Sequence, residues 1–192
     1  MSDVRADGVP AVDPSPDPCL AASYYMDFHA EIVREFALDR TRGLTTDEAR
    51  AIALFYAVRD ELRYDPYAMS PDPETYRASA VIEARKGWCV SKAATMTALL
   101  RACEIPARPG YADVRNHLTS QRLTDMMGTD IFAYHGYVEV WLEGRWVKVT
   151  PVFNLELCEK FGVSAQEFDG ETDSLFQEFD KAGRKHMEHL RV

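Results

Sequence analysis

Arg85-Lys86-Gly87-Trp88-Cys89-Val90-Ser91-Lys92-Ala93-Ala94-Thr95-Met96-Thr97-Ala98-Leu99-Leu100-Arg101-Ala102-Cys103 is the stretch on which the reading of this chain turns. A glycine break precedes about four turns of good helix formers, which puts Cys89 on the first turn of a helix. Unpaired backbone N–H groups and the positive end of the helix dipole stabilise a thiolate at that position, so a cysteine there is a usable nucleophile near neutral pH. The ordinary alternative for any single cysteine is a small buried hydrophobe. The surrounding sequence has to decide between the two.

Upstream, residues 30 to 38 form a helix ended near Arg42-Gly43. A second helix opens at Thr45 with Glu48 three residues on, a capping box, and runs through Ile52, Phe55 and Tyr56 to about Arg63. Tyr64-Asp65-Pro66-Tyr67 breaks it, and a short helix from Ser79 to Lys86 leads to Gly87. Downstream, Ile105 to Val114 reads as extended, and residues 115 to 133 as irregular with a short helix near Leu123 to Met127. Tyr134 to Leu142 and Arg145 to Thr150 alternate on either side of a Glu143-Gly144 turn, a hairpin. A helix from Leu155 to Phe161, capped by Asn154 and stopped by Gly162, and a last helical piece from Gly183 to Leu190 complete the pattern.

The hairpin supplies geometry. With Glu143 and Gly144 as its loop, Leu142 faces Arg145, and His135 lies opposite Val152. Thr150 and Asn154 are then the diagonal neighbours of His135, while Tyr137, Glu139, Trp141 and Trp146 share its face. A nucleophilic cysteine needs a base, and the base needs a group that orients it. Cys89, His135 and either Thr150 or Asn154 form such a trio. His117 is a rival base, held in a less regular segment.

Composition bounds the rest. A chain of 192 residues with 46% hydrophobic residues fits one domain with a sizeable core. Residues 1 to 18, with Pro10, Pro14, Pro16 and Pro18, form a disordered arm ahead of a single domain over 19 to 192, its core at about 45 to 155. A net charge of −9 argues against nucleic-acid and anionic-membrane partners, which need a basic face. The first residues lack a secretory signal, and a cytoplasmic location with four reduced cysteines is expected. His186 and His189, one turn apart on the expected last helix, lack a third ligand, so no metal and no cofactor is expected.

Taken together, these residues resemble the transglutaminase-like branch of the papain-type cysteine enzymes. The resemblance lies in the Gly-x-Cys helix at Gly87 to Cys89, its exit Leu99-Leu100-Arg101-Ala102-Cys103-Glu104-Ile105-Pro106-Ala107-Arg108, and the hairpin from His135 to Pro151. Arg63-Tyr64-Asp65 upstream is also similar. The resemblance implies an α+β fold, a papain-like or transglutaminase-like core with the nucleophile-bearing helix packed on an antiparallel β-sheet. It implies acyl transfer or amide or peptide hydrolysis through a thioester on Cys89, with His135 as base. Trp88, Tyr64 and Tyr137 are candidate substrate contacts, and a peptide, protein or small acyl or amide compound is the expected substrate. Where the family usually has Asp before Pro, this chain has Thr150 before Pro151. Thr150 or Asn154 then orients His135, or Asp113 or Asp130 supplies the carboxylate, or the domain has lost activity and serves as a peptide-binding module.

Overall fold

The computed structural model describes residues 17–191. The expected N-terminal arm lies outside the described residues except for Asp17 and Pro18, which begin a 3-10 turn, Asp17–Leu20. Six helices follow: α1 Glu31–Thr41, α2 Asp47–Glu61, α3 Ala78–Ala84, α4 Cys89–Ala102, α5 Gln121–Met127 and α6 Leu155–Phe161. Six strands are interleaved: β1 Arg63–Tyr64, β2 Lys86–Gly87, β3 Ala107–Asn116, β4 Ile131–Leu142, β5 Arg145–Val149 and β6 Met187–Arg191.

Helix α4 is the axis of the molecule. Every residue from Ser91 to Arg101 is buried, the mark of a helix enclosed on all sides rather than lying on a surface. It packs on β4 and β3 with one side and on α1, α2 and α3 with the others. The apolar stripe of α2, Ala51, Leu54, Phe55 and Val58, sits at helical spacing and is fully buried. From the sheet, Val138, Val140, Leu142, Val147 and Val149 face the same core.

Strands β5-β4-β3-β6 form one antiparallel sheet, and β1 pairs with β2 in parallel beside the start of α4. The fold class is therefore the expected α+β arrangement, a helix packed on an antiparallel sheet. In the β4–β5 hairpin Leu142 pairs with Arg145 and Val138 with Val149, which is the register read from the Glu143-Gly144 turn. Glu143 and Gly144 both take positive φ, 48° and 81°, as a tight two-residue hairpin turn requires.

Three expectations need correction. The residue that caps α2 is Thr46, whose hydroxyl accepts the Ala49 N–H at 3.2 Å; Thr45 is one position too early. Asn154 makes no side-chain cap on α6; Asp60 at the end of α2 accepts the Leu155 N–H at 2.9 Å instead. The last element is strand β6, paired with β3 over Asp113 to Asn116, and not a helix from Gly183 to Leu190. Its residues gain the backbone partners of an open sheet edge, and this tertiary pairing overrides a weak local helical pattern.

Candidate active site

Cys89 is the first residue of α4 and is 4% exposed. The turn before it is held tightly: Ser91 Oγ accepts the Trp88 N–H at 3.0 Å, and Asp65 N–H reaches the Gly87 carbonyl at 2.8 Å. Strand β4 meets this turn at Gly136. A Cβ built on Gly136 would lie 2.9 Å from Val90 Cα and 3.0 Å from the Cys89 carbonyl oxygen. Only a glycine lets the strand come so close. The approach brings the Gly136 backbone to bear on the Cys89 sulfur, where it acts with the Val90 and Cys89 backbone to lower the thiol pKa.

These three backbone groups favour a thiolate, but burial outweighs them and pushes the Cys89 thiol up to about 11. His135, the residue before Gly136, is 2% exposed. Burial drives its imidazole down to about 3, against a backbone hydrogen bond at Gly136, with the nearby His189 imidazole acting in the same direction as burial. Burial thus favours the uncharged form of both groups at neutral pH, a thiol and a neutral imidazole rather than an ion pair. Among the described residues His135 Nε2 has no hydrogen-bond partner. Phe176 holds the ring instead, edge to face, with centroids 4.6 Å apart and planes at 86°.

A measurable consequence concerns the thiol. Peptide-resolved iodoacetamide labelling of Cys89 is expected to be slow at pH 7 and to accelerate about tenfold per pH unit up to about pH 10, because the thiolate fraction rises at that rate below the pKa. A plateau reached below pH 8 would show instead that the thiolate is already formed.

The other predicted residues fall in different places. Thr150 is 1% exposed; its N–H donates to the Ser174 carbonyl at 2.9 Å, and its hydroxyl has no partner among the described residues. Regular pairing of β5 with β4 ends at Val149, short of the Val152–His135 pair that was expected, while residues 173–174 bond the outer edge of β5. Asn154 Oδ1 accepts the Tyr64 N–H at 3.2 Å, tying β1 to the head of α6. Neither side chain hydrogen-bonds the imidazole. Asp113 accepts the Tyr134 N–H at 3.1 Å, and Asp130 pairs with Arg115 at 3.2 Å. His117 is on the surface, 3.0 Å from Glu188.

The Tyr64 hydroxyl is buried, which raises its pKa well above the usual value, with Cys89 the next contributor. Trp88 Nε1 is buried and without a partner among the described residues. Tyr137 is packed with Ala112, Val114 and Met187, its ring filling the space where a side chain on Gly110 would lie. His186 and His189 lie at the end of the chain on or beside β6, and no group of three His, Cys, Asp or Glu side chains among the described residues is arranged to hold a metal ion.

Two cavities flank the Cys89–Gly136 contact. One, about 220 Å³, is lined by His135, Tyr64, Phe132, Phe153 and His186, and the other, about 250 Å³, by Val90, Ser91, Tyr111 and Tyr25. Cys89 lines neither.

The family pattern of the transglutaminase-like superfamily matches residues 34–151, more than half of the chain. The chain belongs to the transglutaminase-like superfamily. Its fold is also similar to that of solved structures of low sequence identity. A candidate cysteine protease from Cytophaga hutchinsonii superposes with a TM-score of 0.55 at 20% identity, over 73% of this chain and 43% of the other. The periplasmic domain of TgpA from Pseudomonas aeruginosa does so with a TM-score of 0.51 at 22% identity, over 73% and 48%. The transglutaminase-like chain thus spans less than half the length of either. No curated protein sequence matches it.

Reading the sequence missed the role of Gly136, the packing of Phe176 on His135 and the contribution of residues 163–187. A glycine between two chemistry-bearing strand positions, His135 and Tyr137, was the available sign for the first. The others depend on long-range contacts with no local pattern.

Proposed function

We propose that this protein is a cysteine-dependent acyl-transfer enzyme, acting on an amide, peptide or thioester through an acyl-enzyme on Cys89. The observation that carries the reading is the Cys89–Gly136 contact. It brings the residue next to His135 against the nucleophile turn, where the Gly136, Val90 and Cys89 backbone favours a thiolate.

The neutral state of both groups suggests the order of events. The Cys89 sulfur attacks the acyl carbon while its proton passes to His135, which turns toward it from Phe176. Apo enzymes often have looser catalytic hydrogen bonds than their substrate complexes, so the absence of a thiol–imidazole bond at rest is compatible with this step. The carbonyl oxygen becomes an oxyanion and takes hydrogen bonds from the Cys89 N–H and the unpartnered Trp88 indole N–H. On collapse the bond to the leaving group breaks and His135 returns the proton to it. A thioester remains, released by water as an acid or by an amine as a new amide.

Thr150 suits this concerted route. Without a carboxylate at that position the imidazolium is not stabilised, and proton transfer has to accompany attack rather than precede it. A rival reading, a peptide-binding module that has lost catalysis, draws on the same Thr150 and on the closed surroundings of Cys89.

Intact-protein mass spectrometry with amide, peptide and activated thioester donors separates the two. The expected result is a donor-dependent acyl adduct on Cys89, absent from Cys89→Ala and reduced at least about 100-fold in rate in His135→Ala, as loss of a general base entails. Equal acylation of wild type and Cys89→Ala, or no adduct with any donor class, would overturn the enzyme reading.

A further inference from the structure

The 220 Å³ cavity beside His135 is lined jointly by the stretch that matches the family pattern and by residues that follow it. Phe153, Leu157, Val163, His186 and Met187 lie beyond residue 151, where the family match ends. Its walls are mostly apolar. Two buried ring nitrogens nevertheless have no hydrogen-bond partner among the described residues, Nε2 of His135 and Nδ1 of His186, and both residues line this one cavity.

Such nitrogens are costly to bury unpaired, so each one calls for an explanation. His186 is 6% exposed and firmly placed. Its N–H donates to the Glu178 carbonyl at 2.7 Å and its carbonyl accepts the His117 N–H at 2.9 Å. Its ring lies 6.2 Å from that of Phe153. The structure therefore holds a polar atom in a fixed position in an apolar wall, the usual construction of a small-molecule subsite.

We propose that this cavity binds an uncharged aromatic group carrying a hydroxyl or amide, seated among Tyr64, Phe132 and Phe153 with its polar atom on His186 Nδ1. The volume fits a single ring, since a dry apolar cavity of about 150 Å³ accommodates benzene. Burial keeps both imidazoles in their neutral forms, so a carboxylate inside would meet no opposite charge and would lose its hydration. The one charged side chain of the lining, Lys160, is exposed at the rim. A hydroxyl or amide can both donate and accept, and so satisfies an imidazole nitrogen in either tautomer. Tyr67 and Ser120, both exposed members of the lining, bridge one side of it with their hydroxyls 3.3 Å apart. That the bound group belongs to the acyl substrate rests on the reading given above; the binding itself does not.

The test uses full-length Cys89→Ala protein, in which no chemistry can intervene, and p-cresol, toluene and benzoate as probes. Methyl NMR is expected to show p-cresol shifting the signals of Leu123, Leu157 and Val163, with an affinity about fivefold above that of toluene, the worth of one neutral hydrogen bond. Benzoate should bind weakest. His186→Phe, which keeps a ring and removes the nitrogen, should lower p-cresol affinity about fivefold and leave toluene unchanged. Leu123→Trp, or Val163→Phe where the first fails to fold, should abolish both. No shifts with p-cresol, equal affinity for toluene and p-cresol in the parent, or p-cresol binding untouched by His186→Phe or by the filled cavity would each overturn the proposal. Binding that holds while no donor acylates wild-type Cys89 would leave the site standing and remove only its assignment to an acyl substrate.

Discussion

Lys92→Met is expected to lower stability by about 3 kcal/mol, roughly 6–12 °C in melting temperature for a chain of this size. Lys92 sits one turn after Cys89 and is 0% exposed. Its Nζ donates to the Val152 carbonyl at 2.7 Å and to the Arg59 carbonyl at 3.0 Å, pinning the end of α2 and the Pro151 corner to α4. Methionine fills a similar volume and donates nothing. Two buried carbonyls would then be left unsatisfied, at about 1–3 kcal/mol each, partly offset by the relief of burying no amine.

The pH dependence separates these terms. Burial brings the Lys92 pKa down to about 7, well below the roughly 10.4 of an unfolded lysine. Between those values the unfolded chain binds more protons than the folded one, so the contribution of Lys92 to stability rises as pH increases through that window. Below about pH 7 the cost of burying a charged amine is present in full. The stability gap between wild type and Lys92→Met should therefore widen from pH 7 toward pH 10 in urea melts. A variant at least as stable as wild type at pH 9 would mean that the two carbonyl bonds contribute nothing net.

Gly136→Ala is expected to be the most damaging single-atom addition to the site. The new methyl carbon would meet backbone atoms, Val90 Cα at 2.9 Å and the carbonyl oxygen and carbon of Cys89 at 3.0 and 3.2 Å, none of which can rotate away. β4 would have to withdraw from α4 by a few tenths of an ångström or more. Overpacking of this kind costs about 1–3 kcal/mol, and displacing the Gly136 backbone from the Cys89 sulfur costs activity as well. Misplacements of about 1 Å lower rates by about 100-fold. Thioester formation should fall by one to two orders of magnitude, and the steep labelling profile of Cys89 should move to higher pH as one backbone group favouring the thiolate is displaced. An alanine variant with unchanged melting temperature and unchanged acylation would show that the strand does not bear on the helix at this point.

These residues also show what local sequence can and cannot convey. The start of α4 at Cys89 and the hairpin register were legible because each is set within a few residues, by a glycine break and by a two-residue turn. The diagonal neighbours inferred for His135 extended that ladder past its end. The backbone after Val149 turns to a partner 24 positions later in the chain, Ser174, and nothing in Thr150-Pro151-Val152 announces it. Lys92 is one charge inside a largely apolar helix, and reading the sequence drew nothing from it. Its meaning depends on two carbonyls from distant segments, which only the packed structure brings together.

The last strand has a consequence for the boundaries of the working unit. β6 covers part of the free side of β3, while residues 173–174 bond to the free side of β5. The segment after residue 151 thus clasps the sheet from both flanks. A fragment trimmed to the stretch shared with the family would bare two sets of unpaired backbone groups, which invite association with other chains. For this protein the shared stretch and the self-sufficient folding unit are different things.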